Sequence, residues 1–334
     1  MTEAPGVLRQ ADIARLAGVS QSAVSRTFGG GRVAESTRQK VLRAAREFGY
    51  EPDAIARSLV TGQSNLVAIV LGDIHNPFYP YVLEELTRRL TAEGRFVLLF
   101  TVPRGGKVDD ILPQALSHRV SGIVVGSAEL SSHVVDLCRE REVPLVLLNR
   151  YLPGSGASGV QSDNYGGGRL AAEHLLSLGR RRLGFVGGLA GTSTNQERRR
   201  GFQDALTEAG HSLVLDVDGS YSYEWGFEAA GRIVSEPKAV DAVFCGNDIV
   251  AMGVLDGLRQ RGRRVPDDIA VVGFDNIPSA SWPSYDLSTL RQPVDEMARA
   301  TLAILDAAQH EAGPAGRLEE LPVTLVTRGS TTGA

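Results

Sequence analysis

The sequence predicts an α/β protein: a small all-helical head followed by a body of two doubly wound lobes, each on a parallel sheet. Three observations predict it. The first 62 residues hold short helical phrases and no strand-like apolar run. From Leu66 onward, apolar runs alternate with amphipathic stretches. These runs are too many for one small sheet, and 334 residues exceed what a single core organises.

The head begins with "DIARLAGVSQSAVSR", residues 12–26. Ile13, Leu16 and Ala17 share one face of a first helix, and Val24 and Phe28 share one face of a second. Gly18 falls between them, where a sharp turn needs a residue tolerant of positive φ. Ser20 is placed to cap the second helix through its hydroxyl. Small Ala14, Gly18 and Val24 stand at the spacing that lets two helices cross closely in a helix-turn-helix. The second helix of that unit enters the DNA major groove by its N-terminal end. Gln21, Ser22 and Arg26 point outward there, and Ser20 and Ser25 complete the candidate contact set. Gln pairs with adenine and Arg forks onto guanine. The same spacing also fits a helical hairpin buried in an enzyme.

A third helix is expected over 37–48, with Val41, Leu42, Ala45 and Phe48 inward and Arg38, Lys40, Arg43 and Arg46 outward. Gly49 stops it and Pro52 prevents its return. Ala54–Leu59 is a helical phrase too short to be stable alone. Charge supports a separate head. The net charge is −4, yet residues 1–62 hold nine Lys/Arg against six Asp/Glu, or +3, leaving 26 against 33, or −7.

In the body, "LVAIVLGD", "RFVLLFT", "GIVVGS", "PLVLLN", "RLGFVGG", "AVFCGN" and "IAVVGFD" read as buried strands. Helices are expected near 79–93, 108–118, 132–141, 166–178, 196–209, 224–235 and 248–261. Continuous apolar strands separated by helices describe a parallel sheet covered on both faces. The chain is expected to cross between lobes near 162–165 and around 289–292, with "LPGSGASG" (152–159) a surface connection.

Ligands of open α/β sheets bind outside the carboxyl ends of the strands. That rule selects Asp73 and its loop, Asn149-Arg150, Asp163, Gly187–Thr194, Asn247-Asp248 and Asp275-Asn276. Singly, each Asp or Asn reads first as a helix cap or turn anchor; as a set around one cleft they are hydroxyl acceptors. Arg198 adds a forked donor, and Phe78, Tyr79 and Tyr221 add apolar walls. A sugar offers both hydroxyls and an apolar ring face, so the mixture fits it.

"DIARLAGVS", "AVSR", "TRQKV", "EPDAIARSL", "NDIVAMG" and "VVGFDN", in this order between about residues 8 and 330, resemble the bacterial lactose-repressor (LacI/GalR) family. The resemblance implies a helix-turn-helix DNA-binding domain at 1–52, a hinge helix and linker at 53–64, and an effector-binding and dimerisation domain at 65–330. That last domain would be a two-lobed, periplasmic-binding-protein-like (type I) body. Its N-lobe would cover about 65–162 and 292–322 and its C-lobe about 163–291 and 323–330, adding a third crossing near "VTLVTRGS". The implied function is a repressor that binds a palindromic operator of roughly 14–20 base pairs as a homodimer. Its switch would be a small-molecule effector, with a sugar or glycoside first and a nucleoside or other polar metabolite second. Arg198 and Asp275 match the family's usual effector contacts, and Asn76, Phe78, Tyr79, Asp163, Thr194, Tyr221 and Asn247 occupy matching positions. In the hinge, Ala56, Arg57 and Leu59 would face the minor groove, with Leu59 wedged between base pairs. Two residues depart from the pattern: Asp53 where Asn is frequent, and Ala23 where Thr is frequent.

Enzyme motifs are absent from the sequence. "VGGLAG" (186–191) lacks G-x-G-x-x-G spacing, Gly106-Lys107 is followed by Val, and neither G-x-S-x-G nor H-E-x-x-H occurs. Six scattered His and the distant Cys138 and Cys245 lack metal-ligand spacing. No catalysis, cofactor or metal is therefore expected. No run approaches the ~18 apolar residues of a membrane span. "MTEAPGVLRQ" does not read as an export signal, so a cytoplasmic protein is expected. The competing reading is a solute-binding receptor of a transport system, which would share the body but need an export signal and no head. "TRGSTTGA" carries no Leu heptad, so a dimer is expected over a zipper-joined tetramer.

Overall fold

The computed structural model describes residues 8–29, 31–50, 64–103, 106–126, 131–152, 154–236, 239–310 and 316–332. The chain divides into two compact units, Met1–Leu66 and Val67–Ala334.

In the first unit, α1 (Gln10–Ala17), α2 (Gln21–Phe28) and α3 (Glu35–Glu47) enclose a small core of Ile13, Ala14, Val24, Val41, Ala44, Ala45 and Tyr50. Gly18, at φ +64°, turns the chain out of α1, and its N–H reaches the Ala14 and Arg15 carbonyls. Ser20 Oγ accepts the Ala23 N–H at 3.2 Å and caps α2. Two expected core residues lie outside: Leu16 is 44% exposed and Phe48 46%. The buried arc of α1 runs from Ile13 through Ala17 to Ala14, and Leu16 falls beyond its other edge. α3 ends one residue before Phe48, and Gly49 at φ +63° swings Tyr50 into the core instead, against Phe28.

The second unit contains two six-stranded sheets. The N-lobe elements are β1 (Leu66–Leu71), α4 (Phe78–Ala92), β2 (Phe96–Thr101), α5 (Val108–Ser117), β3 (Gly122–Gly126), α6 (Ser132–Glu140), β4 (Leu145–Leu148) and β5 (Ser158–Ser162). The C-lobe follows with α7 (Asn164–Ser177), β6 (Leu183–Val186), α8 (Ser193–Glu208), β7 (Leu215–Val217), α9 (Tyr223–Ser235), β8 (Ala242–Cys245), α10 (Asp248–Gln260), β9 (Ala270–Asp275) and β10 (Ser288–Arg291). Then come α11 (Val294–His310), β11 (Leu318–Leu321), β12 (Thr324–Val326) and α12 (Gly329–Thr332). Sheet order is β11-β5-β4-β3-β1-β2 in the N-lobe and β12-β10-β9-β8-β6-β7 in the C-lobe. β12 runs antiparallel to β10, whereas β9 and β10 are parallel.

The chain passes between sheets three times: after Ser162, after Arg291 and between Leu321 and Thr324. Each expected body helix begins within three residues of its expected start. β5 corrects the reading of 152–159 as loop throughout, because Ser158 and the buried Gly159 already belong to it. Among the described residues, no helix is long and apolar enough to cross a membrane.

Candidate functional site

In the first unit, the N-terminal turn of α2 presents exposed Ser20, Gln21 and Ser22, with exposed Arg26 one turn later and Ser25 half-buried. The Ser20 hydroxyl is engaged as the cap and also lies 3.0 Å from Ser22 Oγ. Arg26 folds back along the helix, donating through Nε to the Ser22 carbonyl at 3.3 Å. Gln21 and Arg26 are therefore the long polar side chains offered by this surface. Ala56, Arg57 and Leu59 lie outside the described residues, as does Asp53.

In the second unit, the carboxyl ends of both sheets border one cavity of about 980 Å³. Asn76, Phe78, Tyr79 and Asn149 line it from the N-lobe, and Thr194, Arg198, Tyr221, Asn247 and Asp275 from the C-lobe. Asp163 is a correction: it does not line the cavity. Its carboxylate accepts the Gly166 N–H at 2.7 Å and caps α7, which occupies the acid locally.

Each lining residue is held by local structure. Asn76 Oδ1 accepts the Phe78 N–H at 3.2 Å, fixing the start of α4, and the Phe78 and Tyr79 rings meet edge to face. Asn149 ends β4 in the left-handed region at φ +55°. Asn247 caps α10 through Oδ1, which accepts from Val250 at 3.1 Å. Asp275 closes β9 at φ +125° and accepts from Gln292 Nε2 at 2.6 Å. Backbone conformations of this kind persist where surrounding contacts over-determine them.

Arg198 reaches the cavity because α7 and α8 approach backbone to backbone. A Cβ on Gly168 would overlap the Arg198 carbonyl, and one on Gly201 would overlap the Tyr165 carbonyl. The guanidinium donates to Asn164 Oδ1 at 2.9 Å and to the Gly246 carbonyl at 2.6 Å.

Three buried polar atoms of these lining residues have no partner within the described residues: Asn149 Oδ1, Arg198 Nη2 and Asn247 Nδ2. One is an acceptor and two are donors. Burial pushes the Asp275 carboxyl well above the ordinary carboxylate range; Arg198 opposes that shift and buried Asp248 adds to it.

The strand-end rule also missed lining residues. Thr101 ends β2 and Val102 and Pro103 follow it; the strand is legible in the sequence, so the same rule could have found them. Ser220 and Ser222–Glu224 follow β7, which is only three residues long and offered no signal.

Residues 11–53 match the family described as bacterial regulatory proteins, lacI family, and residues 172–331 match the periplasmic binding protein-like domain. The chain is 32% identical over 325 residues to the HTH-type transcriptional repressor PurR of Photobacterium profundum, covering 96% of this chain and 97% of that protein. It is 31% identical over 330 residues to the HTH-type transcriptional regulator DegA of Bacillus subtilis, with the same coverage of each. Among solved structures, the Lac repressor dimer bound to operator and the anti-inducer ONPF superposes with a TM-score of 0.85 at 26% identity. The complex of the transcriptional regulator CelR with cellobiose superposes with a TM-score of 0.73 at 28% identity. Each alignment covers 97% of this chain and 99% of the other. The helical head, the two-sheet body and these full-length matches agree: the chain belongs to the lacI family of bacterial regulatory proteins.

Proposed function

We propose that this regulator is a dimeric repressor whose α2 reads an operator half-site, and that the cavity takes a sugar or glycoside as effector. The observation that carries the effector class is the trio of unpartnered atoms at Asn149, Arg198 and Asn247. Buried polar groups left unpaired are costly, so a matching ligand gains by satisfying them. Sugar hydroxyls both donate and accept, which suits one acceptor and two donors within a single small site. Phe78, Tyr79 and Tyr221 supply the apolar surfaces that a pyranose face covers. The CelR complex with cellobiose supports the same class.

DNA recognition rests on the exposed first turn of α2. Two-fold pairing of such heads reads two related half-sites.

A thermal-shift panel of glucose, ribose, cellobiose, maltose, adenosine and guanosine tests the effector class. Binding to the folded state alone raises stability by about 2.7 kcal/mol at a hundredfold excess over Kd. At least one carbohydrate is expected to raise Tm, and a response confined to the nucleosides overturns the sugar reading. Deleting residues 1–62 should abolish salt-sensitive retention on heparin. Undiminished retention would place DNA binding elsewhere.

A further inference from the structure

Five buried side chains, together with the Ser162 carbonyl, form one hydrogen-bonded path that begins and ends in the C-lobe and passes through two of the segments where the chain changes lobes. Arg198 Nε donates to Asn164 Oδ1 at 2.9 Å, and Asn164 Nδ2 donates to the Ser162 carbonyl at 2.9 Å. Ser162 Oγ donates to Gln292 Oε1 at 2.8 Å, and Gln292 Nε2 donates to Asp275 Oδ1 at 2.6 Å. None of the five residues is more than 3% exposed.

The two ends of this path differ from its middle. Arg198 and Asp275 line the cavity, whereas Asn164, Ser162 and Gln292 do not. The middle residues sit where the chain changes lobes. Ser162 is the last residue of β5 and Asn164 the first of α7, while Gln292 lies between β10 and α11. The third crossing adjoins them, because the Asp163 N–H donates to the Leu321 carbonyl at 2.7 Å. Buried hydrogen bonds in a chain polarise one another, and the two stretches here meet at Ser162, whose carbonyl serves one and whose hydroxyl serves the other.

We infer that Gln292 and Asn164 are positioning residues that tie the two effector-facing polar groups, Asp275 and Arg198, to two of the chain crossings between the lobes. An effector seated between Arg198 and Asp275 then changes the angle between the lobes through these amides. This deepens the proposed function and rests on its placement of the effector. The path gives each residue a distinct duty. Arg198 and Asp275 bind, while Asn164, Ser162 and Gln292 transmit.

The test separates binding from transmission. Ser162→Ala removes a hydroxyl that never faces the cavity, and Gln292→Met keeps shape while removing the amide. The double variant removes both partners of the central bond and leaves no orphan there; like Gln292→Met alone, it also removes the donor to Asp275 Oδ1, which Ser162→Ala keeps. The probe is the panel compound that raises wild-type Tm most, and the DNA is a duplex selected by the protein from a randomised pool. In Ser162→Ala, the probe's Kd should stay within about threefold of wild type, while the probe-dependent change in DNA affinity shrinks at least about fivefold. The double variant should lose no more response than the larger single loss, as for two residues in one path.

A wild-type response in Ser162→Ala overturns the path alone, as do additive losses in the double variant. Weaker probe binding with an unchanged response overturns it too, by assigning these residues to the site itself. Wild-type protein whose DNA affinity ignores every panel compound overturns the proposed function, and the path with it.

Discussion

The guanidinium carbon of Arg198 lies 3.5 Å from the centroid of the Phe274 ring, and Asp275 follows directly in the chain. One end of β9 thus supplies both the platform for the cation and the acid that faces the same cavity. Stacked, forked geometry of this kind is specific to Arg, because Lys has neither the planar face nor a second donor nitrogen held in a fixed fork. Arg198→Lys should therefore lower effector affinity at least about tenfold while the body stays folded, given a cation–π contact of about 0.5–2 kcal/mol and two further hydrogen bonds. Calorimetric titration with the strongest panel compound, alongside circular dichroism, checks this; near-wild-type affinity would remove Arg198 from the site.

The close approach of α7 and α8 makes a second expectation. Gly168→Ala or Gly201→Ala forces a methyl group into a facing backbone carbonyl, so the two helices must separate. Overpacking of this sort costs about 1–3 kcal/mol, and here it also displaces Arg198. Urea denaturation should show the loss of stability, and effector titration the loss of affinity. A variant with unchanged stability would mean that the interface yields more easily than its packing implies.

Asp275 sets a pH dependence whose sign follows from burial. Its folded-state proton affinity is raised above that of the unfolded chain, where a carboxyl titrates at about 4. The folded protein thus holds the proton better, and the stability linked to it is complete below that unfolded value. This stability is lost as pH rises above the ordinary carboxylate range towards the raised folded value. Asp248, also buried and raised, adds to the shift of Asp275 through its charge. Tm measured from pH 5 to 8.5 should therefore fall more steeply for the wild type than for Asp275→Asn. Parallel curves would show that Asp275 ionises freely.

In the head, capping and reading separate cleanly. Ser20→Ala deletes the acceptor for the Ala23 N–H and should lower stability of the isolated head by about 1 kcal/mol. Gln21→Ala and Arg26→Ala remove exposed polar groups and should leave that stability within about 0.5 kcal/mol. They should instead weaken binding to the selected duplex by about 1–3 kcal/mol each, with less effect on random DNA. Equal losses on both DNAs would reassign them to phosphate contact.

The sequence was most legible where burial is apolar. "LVAIVL", "GIVVG" and "AVVGFD" are strands in the structure because a strand covered on both faces needs an uninterrupted apolar run. β5 and β10 escaped that reading, although both lie inside their sheets. Ser162, Ser288 and Thr289 are buried there as polar residues, each satisfied by a side chain at least 41 positions away. No local window contains those partners.

By itself, the sequence determined the helical head, the alternation that makes two wound lobes, and the polar residues at the strand ends. Tertiary structure alone decided between Asp163 and Asn164. They are neighbours of similar size at the start of one helix, yet the acid turns to its own backbone while the amide meets Arg198. Periodicity ranks residues by the face they occupy. Which of two adjacent polar groups spends its hydrogen bonds locally, and which across the fold, depends on a partner 34 residues distant that only the folded chain brings within reach.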